Sequence, residues 1–183
     1  MIQSQDRSNY IGASDSSFVV GNWATKTFAN WWLEKLGLRK NQLKTEAIMA
    51  GNNYEHKILD SLEIEGLEKD NQFIIDRLRV NLDGNTNTCI YEVKTHNANK
   101  EFKVPKNYWR QAQVEMYASK IHKLYIVAYE LNEDDYINYF NKIDKNILQL
   151  IKIEYDENFI KNEYLPKLEI LTECLKNGVF PEE

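Results

Sequence analysis

Two carboxylates and one amine in this sequence have a spacing that suits a divalent cation. Asp83 precedes Gly84 at a turn signal, and Glu92 and Lys94 lie a short distance further along, on either side of Val93. Alternate side chains of a strand leave the same face, so Glu92 and Lys94 should project together. A hairpin between the two segments would bring Asp83 beside Glu92. Carboxylates and a carbonyl such as that of Val93 bind Mg²⁺, and an amine can orient water or stabilise charge on a phosphate.

The residues of this set, and three further polar residues elsewhere in the chain that could act with them, also have ordinary structural interpretations. A Glu-x-Lys pair is common on solvated strands, where it forms a weak cross-strand ion pair. Glu55 could be an exposed helix carboxylate and Gln111 a plain polar helix position. Arg7 lies in a terminal segment of the kind that frays into solvent. The chemistry therefore depends on what positions these residues.

Hydrophobic periodicity and capping signals predict the elements that position them. The predicted helices cover residues 14–21 with Ser14 as N-cap, 25–36, 44–65, 105–119 and 156–176. The predicted strands cover residues 73–75, 77–82, 89–93, 124–129 and 147–155. We expect the first three strands to form a meander and Pro166 to kink or split the last helix. This order predicts an α/β fold with a mixed sheet flanked by helices.

Length and composition limit the class of protein. Of the 183 residues, 43% are hydrophobic and 28% charged, which is typical of a globular domain. No segment approaches the ~20 apolar residues of a membrane span, and the first residues lack the features of a secretory signal. We therefore expect a single domain over residues 1–183, cytoplasmic and without a membrane partner. The two cysteines fit neither a zinc pattern nor a disulfide framework.

The charge is unevenly distributed. The formal net charge is −5, but residues 100–123 hold six basic and two acidic residues, while residues 130–183 hold six basic and thirteen acidic ones. The middle segment is thus +4 and the last third −7. This pattern suits a nuclease whose carboxylates hold a metal while a local basic patch meets phosphate.

Five motifs in order resemble the lambda-exonuclease and YqaJ-type branch of the PD-(D/E)XK nucleases, the phage recombination exonucleases. They are Gly-Ala-Ser-Asp at 12–15 with an arginine seven residues before the serine, Gly-Asn-Asn-Tyr-Glu at 51–55, Leu-Asp-Gly at 82–84, Glu-Val-Lys at 92–94 and Tyr-Trp-Arg-Gln-Ala-Gln at 108–113. The resemblance covers almost the whole chain and implies a restriction-endonuclease-like core.

The resemblance implies a Mg²⁺-dependent deoxyribonuclease, with Mn²⁺ as a substitute ion. In such an enzyme Asp83, Glu92 and the Val93 carbonyl would hold the ion, and Glu55 would contribute to that site or to a second ion beside it. Lys94 would orient or deprotonate the attacking water. Gln111 would position Lys94 or the scissile phosphate, and it completes the implied catalytic set.

The resemblance also implies how DNA is bound. Arg7 and Ser14 would receive a terminal 5′-phosphate. Four further cations would contact the duplex backbone, namely Lys100, Lys103, Lys106 and Arg110. The implied activity is 5′→3′ degradation of linear double-stranded DNA in phage-type recombination, in a protein encoded by a bacterium or phage. A single-strand annealing recombinase is the implied partner, and a homotrimer is an implied assembly.

Two other functions remain open at this point. The same core could act as an endonuclease, which has no use for a terminal-phosphate pocket. It could also be a catalytically inactive relative that binds DNA or protein.

Overall fold

The computed structural model describes residues 8–40, 45–98 and 101–182. The helices of this part are α1 (Ser16–Val19), α2 (Lys26–Lys35), α3 (Glu46–Ser61), α4 (Lys106–Ser119), α5 (Glu157–Phe159) and α6 (Leu165–Asn177). The strands are β1 (Glu68–Lys69), β2 (Gln72–Ile75), β3 (Leu78–Asn81), β4 (Gly84–Asn85), β5 (Ile90–Asn97), β6 (Lys123–Leu131) and β7 (Gln149–Glu154). None of the helices in these ranges is long and apolar enough to cross a membrane.

The main sheet is mixed. Its strand order is β1-β4-β5-β6-β7, in which β5 and β6 run parallel and the other neighbours are antiparallel. Helix α4 lies in the connection between β5 and β6, because parallel neighbours need a crossover. The predicted mixed α/β core flanked by helices is confirmed.

The predicted three-stranded meander is wrong. Strand β3 pairs with β2 in a separate two-stranded sheet. The turn between them contains Asp76 at φ +51°, a conformation that a short polar residue tolerates in tight turns. Gly84 and Asn85, predicted to form a turn, are strand β4 and pair with Tyr91 and Ile90 of β5. A Cβ at Gly84 would lie 3.0 Å from a methyl of Leu59, so only glycine fits against α3 without movement.

Strand β5 separates two hydrophobic clusters. Buried residues of α2, α4 and α6 pack in the larger cluster, whereas Val93 packs with α3 in the smaller one, which includes Tyr54 and Ile58. Successive β5 side chains point to opposite faces. Glu92 and Lys94 therefore face α4.

Two predicted helix boundaries need correction. Ser14 caps no helix, since it lies exposed within a 3-10 turn, Ala13–Asp15, that precedes α1. Helix α3 begins after Thr45, whose side chain accepts a hydrogen bond from the Ile48 N–H. The predicted last helix is split next to Pro166, as the sequence indicated. A π-helical turn, Ile160–Tyr164, lies between α5 and α6, and Pro166 lies in the first turn of α6, where a proline's missing N–H is tolerated.

Candidate active site

Glu92 and Lys94 form an ion pair on β5, at the base of the candidate site. The Lys94 Nζ atom donates a hydrogen bond to Glu92 Oε1 at 2.7 Å. Glu92 is only 3% exposed, and the Lys94 side chain is 16% exposed. The prediction that both side chains leave the same face of the sheet is confirmed. A pair this buried differs from the solvated ion pair that the sequence left open.

Gln111 of α4 joins this pair from above the sheet. Its Oε1 accepts a hydrogen bond from Lys94 Nζ at 3.2 Å. Its Nε2 donates to Glu92 Oε1 at 2.5 Å and to Glu115 Oε1 at 2.7 Å. The structure thus brings the predicted Gln111 into direct contact with two predicted catalytic residues.

Glu115 is a fourth acid in the site, which the sequence interpretation missed. It is fully buried, and burial followed by the negative charge of Glu92 raises its pKa well above the ordinary value. A signal was present, because Glu115 follows Gln111 by four residues and so shares its helix face. A carboxylate among the buried residues Val114 and Met116 is also unusual.

Asp83 reaches the site through β4. The pairing of Gly84 with Tyr91 places it next to β5, where Asp83 Oδ2 accepts a hydrogen bond from the Val93 N–H at 2.8 Å. This corrects the predicted route, a hairpin between β3 and β5, while the predicted proximity is confirmed. Burial, then the charges of Glu92 and Glu55, raises the Asp83 pKa well above its usual range.

Glu55 lies on α3, which packs against the face of β5 opposite to α4. Its side chain is 21% exposed. Burial and the nearby charge of Glu92 raise the pKa of Glu55. One turn earlier, a Cβ at Gly51 would lie 3.2 Å from the Thr95 hydroxyl. The glycine therefore lets α3 pass close to β5 and brings Glu55 towards the other acids.

The donor set of this site fits a divalent cation. Glu92 Oε2 is buried without a hydrogen-bond partner in the described part of the chain, and an oxygen of this kind is costly unless something binds it. Carboxylates that raise one another's pKa are the usual arrangement around a hard cation. The candidate ligands are Asp83, Glu92, the Val93 carbonyl and Glu55.

A second cluster of potential ligands adjoins Glu55. Within residues 8–40, 45–98 and 101–182, one group of three such side chains has its ligand atoms within 4.8 Å of one another, namely Glu55, His56 and Asp70. His56 Nε2 lies 3.0 Å from Asp70 Oδ2 and 4.0 Å from Glu55 Oε1. The sequence carries no signal for this cluster, because its three histidines, His56, His96 and His122, share no metal-ligand spacing.

The structure describes four of the six residues that were predicted to contact DNA. Arg7 and Lys100 lie outside the described residues. Ser14, Lys103 and Lys106 are exposed, and Lys103 pairs with Glu101 at 3.2 Å.

Arg110 contacts the segment that follows Ser14. Its Nη1 donates to Ser17 Oγ at 3.4 Å, and its Nε is buried without a partner among the described residues. A guanidinium thus lies beside α1, the helix that follows Ser14.

Solved structures that are similar to this chain include exonucleases. An alkaline exonuclease from Laribacter hongkongensis, LHK-Exo, is similar over 93% of this chain and 92% of that one, with a TM-score of 0.69 and 19% identity. The same exonuclease in complex with dAMP has the same coverage and identity and a TM-score of 0.68. A phage-related exonuclease from Haemophilus somnus is similar over 92% of each chain, with a TM-score of 0.63 and 13% identity.

No protein-family model matches this sequence, and no curated protein matches it. Because the identities are below 20%, the structural similarity establishes the fold and nothing finer. At that level the resemblance to phage exonucleases is confirmed.

Proposed function

We propose that this protein is a metal-dependent deoxyribonuclease that degrades linear double-stranded DNA from its ends. The observation that carries the proposal is the Glu92 carboxylate, which is buried, paired with Lys94, flanked by Asp83 and Glu55, and left with one oxygen unbound among the described residues. The exonuclease fold of the similar structures supports the same chemistry.

Asp83, Glu92 and the Val93 carbonyl would hold the ion, Mg²⁺ or Mn²⁺, with Glu55 at the same site or at a second one beside it. When bound, the ion neutralises charge on the phosphate oxygens and lowers the pKa of water. The Val93 backbone already holds Asp83 through its N–H. The chain therefore orients this ligand before any ion arrives.

Lys94 serves as a hydrogen-bond donor in this proposal. Burial disfavours its ammonium form, but the charges of Glu92 and Asp83 outweigh burial and raise its pKa. A protonated Lys94 can orient the attacking water and compensate the charge that develops on the phosphate. Of the two roles implied by the sequence, orientation is therefore favoured over deprotonation. Gln111 Oε1 is a second acceptor for the ammonium.

The segment around Ser14 and Ser17 is proposed to recognise the end of the DNA. Arg7 and the exposed Ser14 hydroxyl would receive the 5′-phosphate, and Arg110 beside Ser17 would add a cation there. Lys103 and Lys106, together with Lys100, would contact the duplex backbone. Such contacts carry no base preference and weaken as salt rises.

Several finer parts of the proposal follow from the resemblance alone. They are the 5′→3′ direction, the role in phage-type recombination, the annealing recombinase as partner and the trimeric assembly. A cytoplasmic location stays a prediction from the sequence features given above.

Digestion of matched DNA substrates tests this function. Wild-type protein is incubated with 5′-phosphorylated linear duplex and with covalently closed circular duplex, in Mg²⁺, in Mn²⁺ and in EDTA. We expect degradation of linear DNA only, and only with the ion. Lys94→Ala should lose ~100-fold or more in rate, as expected for a donor to developing charge, while its binding of DNA in a gel-shift assay persists.

The exposed Lys152, paired with Glu154 on β7, gives a matched lysine control, and Lys152→Ala should remain active. Cleavage of the circles would show an endonuclease instead. Absence of turnover by the wild type with either ion, or full activity of Lys94→Ala, would contradict the proposal.

A further inference from the structure

Glu115 is buried in the site yet lies behind the residues that would meet DNA. We infer that Glu115 is a positioning residue, which orients the Gln111 amide so that its carbonyl faces Lys94 and its NH₂ group faces Glu92. The consequence for turnover rests on the proposed function. The contact itself can be tested without it.

The hydrogen bonds of Gln111 show why a second acceptor matters. An amide side chain has two N–H donors and one carbonyl acceptor. Here one donor is directed to Glu92 Oε1 at 2.5 Å, one to Glu115 Oε1 at 2.7 Å, and the carbonyl accepts from Lys94 Nζ at 3.2 Å. Each polar hydrogen of the amide therefore has an acceptor.

A flipped amide would reverse these contacts. Its carbonyl oxygen would then face the oxygens of Glu92 and Glu115, and its NH₂ group would face the Lys94 ammonium. Towards the Glu92 carboxylate and the Lys94 ammonium, both changes replace attraction by repulsion. Glu92 alone gives part of this preference, and Glu115 adds the second acceptor, which fixes the plane of the amide as well as its direction.

The cost of Glu115 argues against a purely structural role. Its side chain is completely buried, and in the described part of the chain it makes one hydrogen bond, to Gln111, while Oε2 has none. An apolar side chain of similar size would fill this space without that penalty. The contact with Gln111 is therefore what the carboxyl group specifically provides.

The inference predicts an effect on kcat and none on DNA binding. Since Glu115 is fully buried, it does not touch the substrate, and its loss should leave KM within about twofold. Lys94 would keep its pair with Glu92 but lose a fixed second acceptor, the Gln111 carbonyl. Residues that orient a ligand or catalytic group from behind typically change activity by ~10–100-fold, so Glu115→Leu should lower kcat by about tenfold or more.

The experiment compares three variants of the full chain. Glu115→Leu removes the acceptor, whereas Glu115→Gln keeps an oxygen that can accept from Gln111 and should retain kcat within ~3-fold, in keeping with rescue by a conservative change. Gln113→Leu is the control, since Gln113 lies on the same helix, is equally buried, and bonds to the Glu154 carbonyl and the Asp156 N–H instead. Melting temperatures are measured for all three.

A spectroscopic readout tests the contact directly. The side-chain ¹H–¹⁵N resonances of Gln111, assigned by their loss in Gln111→Glu, report both amide hydrogens. We expect one of them to shift in Glu115→Leu and neither to shift in Gln113→Leu.

Two results would overturn the inference. One is an unchanged Gln111 resonance with unchanged kcat in Glu115→Leu. The other is an equal loss of kcat in Gln113→Leu, which would indicate general destabilisation. A wild-type protein without nuclease activity would defeat the proposed function instead, and the Gln111 resonances would then decide the contact by themselves.

Discussion

At the scale of single residues, the site contains more acids than its one amine can balance. Asp83, Glu92 and Glu115 surround Lys94, and the pKa values of Asp83 and Glu115 are raised well above normal, first by burial and then by the charge of Glu92. A carboxyl group whose pKa is higher in the folded than in the unfolded state binds its proton more tightly when folded. The stabilisation that each of these two carboxyl groups contributes is therefore present at low pH. It is lost as the pH rises from the ordinary carboxyl pKa towards the raised pKa of the folded state.

This arrangement predicts that Asp83→Asn stabilises the protein. Asparagine keeps an oxygen that can accept from the Val93 N–H but carries no charge, so the repulsion by Glu92 and Glu55 disappears. In EDTA near pH 8 we expect a rise in melting temperature of a few degrees, since ~1 kcal/mol is worth about 2–4 °C in a chain of this size. The gain should shrink as the pH falls towards 5.

We expect Mg²⁺ to raise the melting temperature of the wild type, because a ligand that binds the folded state stabilises it, and Asp83→Asn should lose this response. The exposed Glu169 of α6 offers a control, and Glu169→Gln should melt like the wild type at each pH. A lower melting temperature for Asp83→Asn near pH 8 would show that its charge is already balanced.

At the scale of elements, the sequence predicted the helices and strands that have a clear hydrophobic period. Helix α4, with Pro105 before its first turn, and β5, with Glu92 and Lys94 on one face, were both predictable because capping and alternation are local signals. Strand β4 was not, since two residues carry no period, and the close contact of its Gly84 with Leu59 depends on tertiary packing. Glu115 was missed because its role depends on what α4 packs against.

The approach of α3 to β5 makes Gly51 a test at this scale. In Gly51→Leu the side chain would meet the Thr95 hydroxyl, because even a Cβ lies 3.2 Å from it. We expect α3 to be displaced and the free energy of unfolding to fall by about 1–3 kcal/mol, as for other overpacked sites. Chemical denaturation measures it.

Displacement of α3 would also move Glu55, so the rise in melting temperature with Mg²⁺ should be smaller in Gly51→Leu. Asn52→Leu, at an exposed position of the same helix, provides the control for added apolar volume. Equal stability of Gly51→Leu and the wild type would show that the close approach is not required.

At the scale of the whole molecule, the charges separate into two regions. The basic segment 100–123 includes α4 and the exposed Lys103 and Lys106, whereas the acidic last third includes β7 and α6. DNA would meet the first region and be repelled by the second. This distribution could be read from the sequence, whereas assembly and partner depend on surfaces that sequence periodicity does not reveal. A single domain over the whole chain also stays a prediction.

The central claim is that Asp83 and Glu92 hold a divalent ion beside Lys94. Anomalous diffraction from crystals soaked in Mn²⁺ tests it most directly. We predict a peak between the Asp83 and Glu92 carboxylates, within bonding distance of the Val93 carbonyl, and its loss in Glu92→Gln. A peak only at Glu55, His56 and Asp70, or no peak near Glu92, would contradict the account.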